Sequence, residues 1–175
     1  MLRLIATFGT LYGLALLLGF FVSHLIFGTS PDNFSQAEIT GYGVMLVSGL
    51  AIVMGMLAWR SQQPQGMLGW ASALSIGVGI SFIGGLFFGA YNWAYLVWIN
   101  PEFTDTYIAW QIDTIEQSAV LSMTEKQQRL EELDAYAGMM QSKPLQSLVM
   151  AATVWFIGTI ITLIAALVLC QRKSH

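Results

Sequence analysis

Four stretches of the chain carry no formally charged side chain, and each is long enough to cross a bilayer as a helix. They run over residues 4–27, 39–59, 67–90 and 148–170. A helix rises about 1.5 Å per residue and a hydrocarbon core is about 30 Å thick, so roughly 20 apolar residues suffice. No water reaches that core, so each segment must satisfy its own backbone amides, and runs of this length do so as helices. With 55% hydrophobic and 10% charged residues and a mean hydropathy of +0.63, the chain is too apolar for a soluble domain. The expected fold is a single all-α membrane domain over 1–175, with four transmembrane helices in an antiparallel bundle.

The connections punctuate these runs. Gly28, Ser30 and Pro31 close the first, Gln62 to Gly66 with Pro64 forms a short turn, and Asn100-Pro101 stops the third. The first run begins like a secretion signal, but it is longer than the usual apolar region and no small-x-small site follows before Pro31; a retained anchor is expected. The third run continues through Tyr91, Trp93, Tyr95 and Trp98 toward residue 99. A straight helix of that length would measure roughly 50 Å, so it should tilt, kink or project, with its aromatic end in the headgroup layer.

Charge sets the expected orientation. Arg3, Arg60, Arg172 and Lys173 flank one side of the runs without an acid, whereas all ten acids fall on the other. Basic flanks stay cytoplasmic, which places both termini there. The net charge of −3 and the lack of a Lys/Arg cluster argue against nucleic acid. Cys170, the only cysteine, cannot form an intrachain disulfide and reads as a small apolar residue at the inner end of the last run.

Residues 101–143 are polar enough to leave the membrane, yet periodic. Ile108, Ile112, Ile115 and Ala119 recur at helical spacing, as do Leu130, Leu133, Ala137 and Met140. Between them, Ser122-x-x-Glu125 and Thr124-x-x-Gln127 match a helix-starting capping box, and Glu125 stands one turn from Arg129. An extracytoplasmic hairpin of two amphipathic helices is expected, folded over the outer ends of the spans. Its acidic character argues against docking on anionic lipid. Pro144 either ends it or enters the first turn of the last span.

Candidate functional residues are few. His24, one turn from the outer end of the first span, is the only ionisable side chain within the runs and reads first as an interfacial histidine. Gly9-x-x-x-Gly13 and Gly85-x-x-x-Gly89 permit close helix packing, within one copy or between copies. No nucleophile and base, metal cluster or phosphate loop is evident; Glu131, Glu132 and Asp134 read as a solvated helix face, and no cofactor is expected. Asn33-Phe34-Ser35 matches a glycosylation sequon.

In order and spacing, several short signals resemble domain-of-unknown-function family 4199, small bacterial four-span membrane proteins. They are Gly41-Tyr42, Arg60, Tyr91 and Trp93, Pro101-Glu102-Phe103 followed by Tyr107, Pro144-Leu145, and Ala165-Ala166-Leu167 leading to Arg172-Lys173. The chain departs from the family pattern with Arg60-Ser61 where Arg-Asp is common, and with Lys143-Pro144 where Asn-Pro is common. The resemblance implies a bacterial inner-membrane location, the four-span layout with its long outer segment, and no activity. It makes the sequon moot.

The leading functional expectation is a non-enzymatic protein that associates with a second copy or another membrane protein, with Trp110, Met139 and Met140 as outer contacts. The alternative is a subunit of an oligomeric transporter or channel, lined by Ser72, Ser75, Ser81, Thr153, Thr159 and Thr162; a membrane enzyme acting on lipid stands third. A pocket joining His24 to Tyr91 or Asn92 would favour chemistry, a cavity lined by the hydroxyls would favour transport, and a tight bundle with an apolar outer groove would favour association.

Overall fold

The computed structural model describes residues 1–64 and 66–170, which form helices and turns without a strand. Arg172 and Lys173 lie outside the described residues. Four continuous or nearly continuous helical runs are long and apolar enough to cross a membrane: Leu2–Phe27, Pro31–Ser61, Trp70–Ile99 and Lys143–Leu169. Helix α1 (Leu2–Phe27) ends at Gly28, whose φ of +66° suits a residue without Cβ and whose N–H donates to His24 O. Asn33 of the sequon donates its Nδ2 to Phe27 O at 2.8 Å, satisfying another carbonyl left over at the helix end.

The second run departs from the expected 39–59. A 3₁₀ turn at Pro31–Asn33 starts the helix earlier, and α2 (Phe34–Ser48) is separated from α3 (Leu50–Ser61) by a break at Gly49. Ser-Gly pairs are common sites of such breaks. Here the Ile161 side chain occupies the place of a Gly49 Cβ, 2.5 Å from where that atom would stand. At the far end of α3, Arg60 Nε donates to Gly66 O at 2.7 Å and holds the short turn.

The third run is α4 (Trp70–Ala94), extended by a π-helical turn over Tyr95–Ile99 in which Asn100 N donates to Tyr95 O. α5 (Phe103–Gln117) and α6 (Met123–Gln141) follow and pack on each other, and α7 (Lys143–Leu169) begins with Pro144 in its first turn. The capping box forms at Ser122 with Glu125; the Glu125 carboxylate therefore turns back to Ser122 N and Oγ rather than forward to Arg129.

α4 is the central element, lying along α1 on one side and α7 on the other. Gly9 and Gly13 of α1 meet Ile83 and Phe87 of α4, so these two helices run parallel. Gly77, Gly85 and Gly89 of α4 meet Thr162, Ala151 and Ser147 of α7 in the reverse order, so that pair is antiparallel. Gly19 against Val44 and Gly41 against Phe20 likewise make α1 and α2 antiparallel. Tyr12, Leu16, Ile52, Met56, Ile76, Ile80 and Val154 fill the space between, fully buried. Cys170 is buried at the edge of the same core.

These directions gather Arg3 and Arg60 at one end. The acids collect at the other, around the α1–α2 connection and along α5 and α6.

Candidate functional site

The break at Gly49 positions the site. α3 packs on α1, α4 and α7, whereas α2 packs on α1 and makes no comparable contact with α4 or α7. On the α2 side of Gly49 the second run thus leaves α4 and α7 less covered, and a cavity of about 410 Å³ opens between α2, α4 and α7 beneath α5 and α6. That size is ordinary for a small-molecule site.

One wall is a continuous run of rings. Phe20 lies 4.5 Å from Phe88, Phe88 stacks on Tyr91, Tyr91 meets Tyr95, and Tyr95 meets Phe103 edge-on at 5.6 Å. Phe34, the first residue of α2, then holds Phe103, Tyr107 and Trp110 at centroid distances of 5.9, 5.7 and 5.6 Å. Tilted and edge-to-face contacts of this kind each add roughly 0.5–1.5 kcal/mol beyond the area they bury. They anchor α5 to α2. The π turn matters here because its extra residue per turn re-aims the side chains after Tyr95, and such turns are frequent at functional sites.

This wall adds to the expected apolar face. α5 docks through Phe103, Tyr107 and Trp110, which are half-buried like Ile108 and Ile115 of the expected stripe, while Ile112 and Ala119 are exposed. Trp110 and Met140 accordingly face inward, and of the three expected outer contacts only Met139 is exposed. α6 does bury Leu133 and Met140 of its expected stripe.

His24, Tyr91 and Asn92 all line the cavity. His24 stands edge-on to Tyr95 at 5.5 Å, and Asn92 Oδ1 accepts from Ser147 Oγ at 3.2 Å. Besides Ser23, Thr153 and tyrosine hydroxyls, the polar lining includes three residues the sequence did not single out: Glu38, Gln111 and Gln146. Gln146 is 3% exposed. Its Oε1 accepts from Thr104 Oγ1 at 3.0 Å, while its Nε2 is buried without a partner. Turning the amide over exchanges the two ends and still leaves one unsatisfied. A polar residue just before the last apolar run, in a helix that starts at Lys143, was the available signal for it. Tyr12 Oη is the other buried atom without a partner, and it lies in the core away from the cavity.

The other sequence candidates lie elsewhere. A Cβ on Gly9 would stand 2.7 Å from Ile83, one on Gly13 2.5 Å from Phe87, one on Gly85 2.7 Å from Ala151 O, and one on Gly89 2.9 Å from Ala151. All four glycines are thus spent on contacts within one copy. Ser81, Thr153, Thr159 and Thr162 donate to the carbonyls of Gly77, Val149, Trp155 and Gly158 in their own helices. Of these hydroxyl residues only Thr153 reaches the cavity. Among the described residues no three His, Cys, Asp or Glu side chains are grouped to hold a metal ion.

A family model matches residues 7–171. The chain belongs to the family described as Protein of unknown function (DUF4199). No curated protein and no solved structure matches this DUF4199 chain.

Proposed function

We propose that the chain is a four-span protein of the bacterial inner membrane, its termini cytoplasmic, which works by binding an amphiphilic molecule at the outer end of its spans. The observation that carries this is the cavity: apolar and aromatic walls from α1, α2, α4 and α5 converge with a small set of polar groups, one of them left without a partner. Few, well-placed polar groups on an apolar wall are the usual make-up of a ligand site. Its level, next to the aromatic end of the third run, is where headgroup and acyl chain meet. The basic residues Arg3 and Arg60 at the opposite end support the orientation.

The cavity does join His24 to Tyr91 and Asn92, the arrangement that would favour lipid chemistry. Binding is preferred because His24 packs against a ring, and Asn92 against Ser147, rather than forming a base and nucleophile pair. Transport is disfavoured by hydroxyls committed to their own helix carbonyls. Association with another membrane protein is the second reading. It is favoured by Val120 and Met123, 93% and 81% exposed at the connection between α5 and α6.

Native mass spectrometry of the protein gently extracted from its own membrane tests both. A bound amphiphile that is lost on Val149→Trp, which fills the cavity, supports the binding reading. Identical adducts on both proteins would sink it. A stable heteromeric complex would support association.

A further inference from the structure

Resting on the binding reading above, we infer that the amphiphile carries a cationic ammonium head, held at the mouth of the cavity by Glu38 and the faces of Tyr42, Tyr107 and Tyr136. Three observations carry this. Among the described residues Glu38 is the one formally charged carboxylate lining the cavity, and no Lys or Arg lines it. In the adjoining cleft Arg129 and Glu132 balance one another, so Glu38, which lines both, carries the net charge there as well. Around Glu38 the mouth is built of tyrosines from three different helices, α2, α5 and α6. A carboxylate grouped with several aromatic rings suits an ammonium ion, since a ring can offer the negative face of its quadrupole to a cation. An anionic head would meet Glu38 unpaired, and a purely apolar ligand would leave the tyrosine hydroxyls and the carboxylate without use.

Deeper in, the site offers the complementary group. Gln146 Nε2 has no partner and Asn92 presents an amide, so an acceptor oxygen a few bonds from the ammonium is accommodated. Beyond them Phe20, Met45, Phe88 and Met150 give an apolar floor. At about 30 Å³ per water-sized group, the 410 Å³ cavity holds roughly a dozen heavy atoms, a head and the start of one chain rather than a whole two-chain lipid. The shared chemistry is an alkyl chain bearing an ammonium near an oxygen. It could be supplied by an ethanolamine phospholipid of the membrane itself or by a single-chain amine from outside.

The test is competitive native mass spectrometry of the intact protein in maltoside micelles. One arm offers equimolar lysophosphatidylethanolamine and lysophosphatidylglycerol of equal chain length; the other offers dodecylamine and 1-dodecanol. The ammonium member of at least one pair should be retained about tenfold over its partner, and Glu38→Gln should bring the ratio to within about twofold while total adduct persists. Preference in the first arm identifies a membrane lipid, and preference in the second alone identifies a non-phospholipid amine. Ratios near one in both arms, or a preference unchanged in Glu38→Gln, would overturn the inference and leave the binding reading standing. Equal adducts on wild type, Val149→Trp and Thr153→Trp, each with the wild-type gel-filtration profile, would overturn the binding reading itself.

Discussion

Thr104 Oγ1 donates to Gln146 Oε1 across 3.0 Å, and this buried bond ties α5 to the first turn and a half of α7. It bridges residues far apart in sequence and holds the roof of the cavity to one of its walls. Removing one partner of a buried pair costs about 1–3 kcal/mol, because the group left behind is desolvated and unpaired. Thr104→Val leaves Gln146 with neither end bonded. It should therefore raise amide exchange across Phe103–Gln117 while leaving exchange in α1 and α4 unchanged. Gln146→Leu, which removes both amide atoms and strands only the Thr104 hydroxyl, should be less damaging than Thr104→Val, which strands both ends of the amide. The opposite order would show that the bond does not hold α5.

Glycine positions divide by what stands opposite them. A Cβ on Gly13 would enter Phe87, whereas one on Gly43 meets nothing within 4 Å. Gly13→Ala should lower thermal stability in detergent by about 1–3 kcal/mol through overpacking. Gly43→Ala should be neutral or stabilising, since alanine is the better helix former by up to about 1 kcal/mol. Equal effects of the two would mean that α1 and α4 are not in contact along this face.

The break between α2 and α3 is a second packing test. Gly49→Ala places a methyl against Ile161 Cδ1, and Ile161→Ala makes room for it. The double variant should be more stable than the sum of the two single losses predicts, with a coupling of about 0.5–3 kcal/mol. Additive losses would show that Ile161 does not set the break. Because the cavity opens on the α2 side of this point, ligand retention should follow the same pattern.

The four apolar runs were legible because an uncharged stretch of that length has few other fates, and the capping box at Ser122 was legible because its two partners are local in sequence. The break at Gly49 was not. Ile161, a residue of another helix, packs on it, and a Ser-Gly pair inside an apolar run gives no sign of what will pack there. His24, Tyr91 and Asn92 drew notice as polar or aromatic residues at span ends, and the fold gathers them on one cavity. Glu38 and Gln146 did not, since an acid near a turn and an amide near a helix start are ordinary until three helices bring them together. The aromatic contacts of α5 were not legible, since their partner Phe34 belongs to α2.

Acid acts on α6. Two hydrogen bonds from Ser122 hold the Glu125 carboxyl below its ordinary range. A group whose folded pKa is depressed contributes stability above the unfolded value, and that contribution is lost as pH falls through the folded one. The first turn of α6 should therefore fray on acidification below about pH 4. Ser122→Ala should raise amide exchange there roughly fivefold at neutral pH and shrink the acid-dependent step, since only the backbone N–H at 122 is left to hold Glu125. A step of undiminished size in Ser122→Ala would assign it to another carboxylate.

Alkali acts on the cavity roof. Burial pushes the Tyr107 hydroxyl above its ordinary value, and the negative charge of Glu38 pushes it the same way. The neutral phenol is thus the form the fold prefers. Its contribution is complete below the unfolded value near pH 10 and is lost as pH rises through the higher folded value. Tyr107 should ionise later than an exposed tyrosine in a 295 nm titration, identified as the component missing from Tyr107→Phe. Glu38→Gln should move that component down toward the ordinary range without bringing it all the way, because burial remains. In wild type, exchange across Phe103–Gln117 should rise as Tyr107 ionises, since a phenolate is costly between Phe34 and Phe103; Tyr107→Phe should lack that step. A Tyr107 component at the ordinary position would mean that α5 does not dock on Phe34 through this ring, and with that the roof over the cavity would be open.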